Sequence, residues 1–151
     1  ISYNYGAKNA DRVKQAFKAF STICFTYIFV FGMAIEIFPQ FFIKIFNDNP
    51  ELVETAKWTL RLYGCALVFF GIQLAVQQTF IALGKAKASL FIACFRKVIL
   101  LVLLIYILPT FFENKVFAVF LAEPVSDAIS IMTASIVFFF VFGKEMKKLS
   151  K

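Results

Sequence analysis

Four long runs of apolar residues, separated by short polar stretches, account for most of the chain. They cover about residues 19–38, 62–83, 88–108 and 116–142. Each run holds about 20 residues or more, the length that an α-helix needs to cross the hydrocarbon core of a bilayer. The apolar residues are gathered into blocks and do not alternate with polar ones at the period of a half-buried helix or strand. The pattern therefore predicts an all-α, polytopic transmembrane helical bundle with four spanning helices.

The polar stretches between the runs carry signals for helix ends. Asn9 and Asn49 are predicted N-caps, because an asparagine side chain can accept a hydrogen bond from a first-turn N–H. Pro50 suits the first position of the second long helix, where a missing N–H costs nothing. A proline inside a helix removes a backbone donor, and a glycine readily adopts the left-handed conformation that closes a helix. Pro39 is expected to break or bend the first span, Gly84 to end the second and Pro109 to end the third.

A pair of glycines in the second span, Gly64 and Gly71, lies seven residues apart and so shares one helix face. Small residues let two helix backbones approach closely inside a membrane. The pair therefore predicts close packing of the second span against a neighbouring helix.

Composition supports the membrane interpretation and excludes several functions. Apolar residues make up 61% of the chain, against 17% charged residues, and the mean hydropathy is +0.81. The chain contains no histidine, which excludes histidine catalysis and the usual zinc sites. Cys24, Cys65 and Cys94 lie in apolar runs without paired spacing and are predicted to be free thiols. We expect no enzyme, no catalytic residue and no metal site.

The net charge of +7 comes from basic residues placed between the apolar runs, and not from a basic face that would bind nucleic acid. Lysine and arginine cluster before the first span, between the second and third, and after the fourth. Because such residues favour cytoplasmic loops, the sequence predicts a multi-pass plasma-membrane protein with its C-terminus in the cytoplasm. The basic residues in these three regions are Lys8, Arg12, Lys14, Lys18, Lys85, Lys87, Lys144, Lys147, Lys148 and Lys151.

Three amides of the second span, Gln73, Gln77 and Gln78, are candidates for a substrate or ion pathway. Gln73 and Gln77 share a helix face and are flanked by phenylalanines, so they could line a route for a lipophilic or cationic solute. Alternatively, the amides form hydrogen bonds across helices and hold the bundle together. The sequence leaves both alternatives open.

The fourth span carries Glu123 and Asp127 one turn apart, with Pro124 between them. Intramembrane carboxylates are costly and therefore point to function. Together with the carbonyl that Pro124 leaves without its donor, they could bind a cation or share a proton. Alternatively, Arg96 or Lys97 of the third span neutralises them, and a structural pairing with an acid is the favoured role of Arg96.

Several motifs, in this order and spacing, resemble the multidrug and toxic compound extrusion (MATE) family over essentially the whole chain. They match the end of its eighth helix through to its twelfth. The matching segments are SYNYGAKN (residues 2–9), Arg12–Val13, Phe38–Pro39, Lys44–Phe46, FIALGKA (residues 80–86), Arg96 and PVSD (residues 124–127). Within these motifs, structural roles are expected for Gly6, Gly84, Arg96 and Pro124.

The resemblance implies a twelve-helix transporter of two six-helix lobes that exports drugs or organic cations by antiport with protons or sodium. It needs no cofactor beyond that gradient. The chain would then be the C-terminal part of a lobe, with a remnant of a fifth helix at its N-terminus. Its expected partners are the lipid bilayer, the cationic substrates and the missing N-terminal lobe. The alternatives are a flippase for lipid-linked saccharides and a non-transporting fragment. Because four or five helices cannot enclose a central cavity, residues 1–151 alone are not expected to transport.

Overall fold

The computed structural model describes residues 1–149, except for the side chain of Val68. Within that range the chain is 89% helical and contains no strand, which confirms the all-α prediction. A π-helical segment, Phe95–Leu100, joins two of the helices into one continuous stretch. The α-helices are α1 (Ser2–Gly6), α2 (Ala10–Ile37), α3 (Pro39–Lys44), α4 (Pro50–Ala82), α5 (Ala86–Cys94), α6 (Leu101–Phe111) and α7 (Lys115–Leu149).

Three helical stretches are long and apolar enough to cross a membrane: Ala10–Ile37, Ala86–Phe111 and Lys115–Leu149. Helix α4 supplies a fourth if its two parts, Pro50–Leu67 and Phe69–Ala82, inclined by 47°, form one span. This arrangement confirms a helical membrane bundle. Each predicted span overlaps one of these stretches, although residues 38 and 83 lie one position beyond the ends of α2 and α4. The exact limits of the spans in the bilayer stay predictions.

The predicted helix starts agree with the structure. The Asn9 side chain accepts a hydrogen bond from the Arg12 N–H at 3.0 Å, immediately before α2. The Asn49 side chain accepts from the Glu51 N–H, also at 3.0 Å, and Pro50 is the first residue of α4. These side chains satisfy backbone donors that have no partner within the helix.

Two of the three predicted helix ends agree with the structure as well. Helix α2 stops just before Pro39, which begins α3. Gly84 follows α4 with φ of +71°, a conformation in which glycine is favoured over every other residue. The prediction for Pro109 is wrong, because α6 continues through it to Phe111. Pro109 removes the N–H that would bond to the Ile105 carbonyl, but it does not stop the helix, and only Thr110 and Phe111 follow it.

Helix α4 is central to the bundle and packs against α2 on one side and α7 on another. At Gly71, an added Cβ would lie 3.0 Å from the Cys24 carbonyl oxygen and from the Phe25 Cα, so the two backbones are in direct contact. At Gly64 it would lie 2.6 Å from the Glu36 carboxylate. The glycine pair therefore produces the close helix packing that the sequence predicted.

The largest buried apolar cluster joins α4, α5 and α7. Phe17 of α2 packs onto it, with its ring centroid 4.7 Å from that of Phe138. Elsewhere, large apolar side chains are exposed on the outside of the bundle, as lipid-facing residues are. The three cysteines are free, as predicted. The buried members of the cluster are Val76, Phe80, Ile92, Ala134 and Phe138.

Candidate functional site

The π-helical segment Phe95–Leu100 contains Arg96 and Lys97, the two basic residues of the predicted spans. A π-turn widens the helix locally by closing hydrogen bonds from residue i to residue i−5. Here the Arg96 carbonyl accepts such a bond from the Leu101 N–H. It also accepts the Ser126 hydroxyl of α7 at 3.0 Å. The π-turn therefore ties the third membrane helix to α7 at the position of the basic residues.

Both basic residues form ion pairs with the two carboxylates of α7. The Arg96 Nη1 lies 2.6 Å from the Asp127 Oδ1, and the Lys97 Nζ contacts the Glu123 Oε1. The Arg96 and Asp127 side chains are only 14% and 11% exposed, whereas those of Lys97 and Glu123 are 47% and 24% exposed. The structure thus brings together two pairs of zero net charge, of which Arg96–Asp127 is the more deeply buried.

A second contact holds the Arg96 guanidinium from the side of α4. Its central carbon lies 4.8 Å from the centroid of the Phe70 ring, within the range of a cation–π interaction. The Arg96 Nε is buried and has no hydrogen-bond partner. One cation is therefore shared between the Asp127 carboxylate and the Phe70 aromatic face, the two groups that commonly bind organic cations.

The three candidate amides of α4 occupy different environments. Gln73 is fully buried, and its Nε2 donates to the Ser130 Oγ of α7 at 2.9 Å. The Gln73 Oε1 is buried without a hydrogen-bond partner. Gln77 is half-buried and Gln78 is exposed. The contact of Gln73 with α7 is a hydrogen bond across helices, the second of the two alternatives for these amides. The structure does not gather all three amides in one site.

Polar residues on α7 form a stripe facing α4 and the π-turn. Ser126 and Asp127 follow Glu123 by three and four residues and precede Ser130 by four and three, which places all of them on one helix face. Ser126 and Ser130 are buried, and both bond to neighbouring helices. The sequence interpretation did not single out Ser130. Its position three residues after Asp127, on the same helix face, could have identified it as a candidate.

The residues with expected structural roles are placed as follows. Gly84 terminates α4 in the left-handed conformation, as described above. Gly6 is the exposed last residue of α1, with open space where a Cβ would lie, so its surroundings do not require glycine. Pro124 lies inside α7, which continues through it without a break. Arg96 is the one among them that belongs to the ion-paired cluster.

A separate polar cluster, absent from the sequence predictions, lies where α1, the turn between α4 and α5, and the end of α7 meet. Glu145 of α7 is only 5% exposed. It accepts a hydrogen bond from the Tyr5 hydroxyl at 2.7 Å and lies 3.2 Å from both Lys85 and Lys148. In the sequence, the available signal for this cluster was that Glu145 is a single acid among lysines. Through this acid, three parts of the chain are tied together.

Replacing Tyr5 by Phe should lower the free energy of unfolding by about 1 kcal/mol, because Glu145 loses its hydroxyl donor. The hydrogen bond to Glu145, with burial adding to it, raises the pKa of Tyr5 above its ordinary value of 10.0. The stabilisation is therefore present below pH 10 and is lost as the pH rises through the raised pKa. Unfolding in detergent at pH 8 and at pH 11 measures both effects.

The matched control for this prediction is Tyr3→Phe, since Tyr3 is 86% exposed. Tyr3→Phe should leave the free energy of unfolding unchanged at pH 8. Between pH 8 and pH 11 this variant should lose as much stability as the wild type. An alkaline loss of the same size in Tyr5→Phe would contradict the assignment of that loss to Tyr5.

The comparisons with known proteins give one match. The MatE family model matches residues 1–107, from α1 into α6, which is more than half of the 151 residues. The matched range includes Gln73, Arg96 and Lys97 and ends before α7. No curated protein and no solved structure matches the chain.

Proposed function

The chain belongs to the MatE family, and from this premise we propose that it is part of a secondary-active exporter of drugs or organic cations, driven by antiport with protons or sodium. A MatE protein is a membrane transporter of the MATE kind, and the family is one of transporters and not of enzymes. The proposal adds the substrate class and the coupling. It also includes the plasma membrane as location, a cytoplasmic C-terminus and assembly with an N-terminal lobe.

The observation that carries the proposal is the buried Arg96–Asp127 pair, 2.6 Å apart between two membrane helices. A carboxylate within a membrane span is rare unless it serves the movement of an ion or substrate or is held in a pair. Here the partner cation is a side chain tethered to a π-turn, a local geometry frequent at functional sites. Because the cation that holds Asp127 is a side chain of the protein, a free cation can compete with Arg96 for the Asp127 carboxylate.

In the proposed mechanism, Asp127 exchanges Arg96 for a proton, a sodium ion or a cationic substrate. The released guanidinium remains over the Phe70 ring, 4.8 Å away, where the cation–π interaction still stabilises it. Glu123, one turn from Asp127 and paired with Lys97, offers the released guanidinium a carboxylate that it would share with Lys97. The exchange thus adds one positive charge to the cluster, and the Phe70 ring and the shared carboxylate stabilise it in the low-dielectric interior.

A flippase for lipid-linked saccharides fits this cluster less well. Such a protein would hold anionic phosphate groups with unpaired basic residues in its cavity. The two basic residues within the predicted spans, Arg96 and Lys97, are each paired with an acid. The balance of charge therefore favours a cationic cargo.

Replacing Asp127 by Asn in the full-length protein should reduce gradient-driven efflux of a fluorescent organic cation by about tenfold or more, because the exchangeable charge is lost. Proteoliposomes with an imposed proton or sodium gradient measure this, and the gradient that drives efflux identifies the coupling ion. Asp48→Asn is the control, since Asp48 is exposed between α3 and α4 and should transport normally. Normal coupled efflux by Asp127→Asn would rule out Asp127 as the coupling group.

A further inference from the structure

A large apolar groove lies between α2, α4 and α7, away from the ion-paired cluster. Its volume is about 990 Å³. The walls are mainly aromatic, and Phe139 and Phe140 are strongly exposed. Gly143 also lines the groove, and an added Cβ there would meet open space. The aromatic lining residues are Phe17, Phe138, Phe139, Phe140 and Phe142.

One end of the groove is bordered by three lysines of α7, Lys144, Lys147 and Lys148. Lys148 forms an ion pair with Glu145, which also pairs with Lys85. For Lys144 and Lys147, both exposed, residues 1–149 provide no ion-pair partner. The groove therefore combines a long apolar wall with a positive rim.

We propose that this groove binds an anionic phospholipid, with the phosphate and headgroup on Lys144 and Lys147 and one acyl chain along the phenylalanine rings. The lysines follow directly after the apolar part of α7, so they lie at headgroup level while the rings lie at acyl-chain level. The charge count of the sequence assigns this end of the bundle to the cytoplasmic leaflet.

The shape and charge of the groove favour a lipid over other occupants. A cationic substrate would be repelled by the positive rim, so the groove differs in charge preference from the Asp127 site. A soluble acidic peptide could reach the lysines but not most of the rings, because four of the five lie within the apolar length of α7. An anionic lipid fits the apolar wall and the positive rim at once, and basic pockets between membrane helices commonly bind such lipids.

The test is lipid retention by the full-length protein purified from nanodiscs of phosphatidylglycerol and phosphatidylcholine. Wild-type protein should retain phosphatidylglycerol preferentially. The double variant Lys144→Gln/Lys147→Gln should bind it about tenfold or more weakly, since each lysine contributes separately. Lys8→Gln/Lys87→Gln removes two exposed charges outside the groove and should bind it normally.

A second variant, Gly143→Leu, fills the groove without changing its charge and should also lower phosphatidylglycerol retention. The proposal is overturned by equal weakening in the Lys8/Lys87 control, by a wild-type protein without preference for the anionic lipid, or by unchanged retention in Gly143→Leu. A change in oligomeric state on Gly143→Leu, with lipid content unchanged, would assign the groove to a second copy of the chain.

Discussion

Replacing Arg96 by Gln should lower the free energy of unfolding of the bundle by about 3 kcal/mol, because Asp127 is left as a buried acid without its cation. Either the carboxylate stays charged in a low-dielectric surrounding or it must take up a proton, and both outcomes destabilise the folded state. The cation–π contact with Phe70 disappears as well. Unfolding of the purified protein in mixed detergent micelles measures the change.

The double variant Arg96→Gln/Asp127→Asn should recover most of that loss, because it leaves no unpaired charge and two amide side chains can bond to each other. Lys97→Gln is the matched control. Since the Lys97 side chain is 47% exposed, its pairing with Glu123 should contribute less than about 1 kcal/mol. A double variant as unstable as the sum of the single ones would show that Arg96 and Asp127 do not act as a pair.

The second large effect is expected at Gly71, where Gly71→Ala should destabilise the bundle by about 2 kcal/mol through overpacking. The new methyl group would press on the Cys24 carbonyl oxygen and the Phe25 Cα, both at 3.0 Å. These are backbone atoms of α2, so relief requires moving the whole helix. The same unfolding measurement tests the prediction.

Two other glycines provide graded controls for this effect. At Gly64 the obstructing atom is the end of the Glu36 side chain, at 2.6 Å, which can rotate away. Gly64→Ala should therefore cost less than Gly71→Ala. At Gly143 a Cβ meets open space, and Gly143→Ala should change stability by no more than about 0.5 kcal/mol. An equal cost at Gly71 and Gly143 would exclude helix contact as the cause.

The ion-paired cluster connects stability with the proposed transport. Arg96→Gln removes the cation that competes for Asp127, and Asp127→Asn removes the acid itself, so the two variants separate loss of the pair from loss of the exchangeable carboxylate. Only the second should abolish coupling if cation exchange at Asp127 drives transport. The stability prediction for the pair does not depend on that mechanism.

Local features of the chain could be predicted because they act over a few residues. The N-caps at Asn9 and Asn49 and the left-handed Gly84 follow from the geometry of a helix end, whatever lies beyond it. The prediction for Pro109 failed because a proline removes one backbone donor without having to stop the helix, and α6 continues for two residues beyond it. Whether such a residue stops the helix depends on what surrounds it.

The polar contacts could not be predicted as pairs, because they join residues far apart in sequence. Gln73 and Ser130 are 57 positions apart, Arg96 and Asp127 are 31 apart, and Tyr5 and Glu145 are 140 apart. The sequence identified Gln73, Arg96 and Asp127 as candidates from their polarity within apolar runs. It offered Arg96 or Lys97 as partners of the two acids of the fourth span, but it did not decide which base pairs with which acid and named no partner for Gln73. The π-turn has no residue signature of its own and was not predicted.

By itself, the sequence determined that this protein is a bundle of membrane helices, where most of these helices begin and end, and which family motifs it carries. Hydropathy, helix length and capping decide these matters, since each acts between the backbone and its nearest surroundings. Only the tertiary structure decided that Asp127 is paired with Arg96 and Glu123 with Lys97, and that Gln73 bonds to α7. In a low-dielectric interior a polar group must find its partner on whichever helix packs against it, and that choice is made by packing.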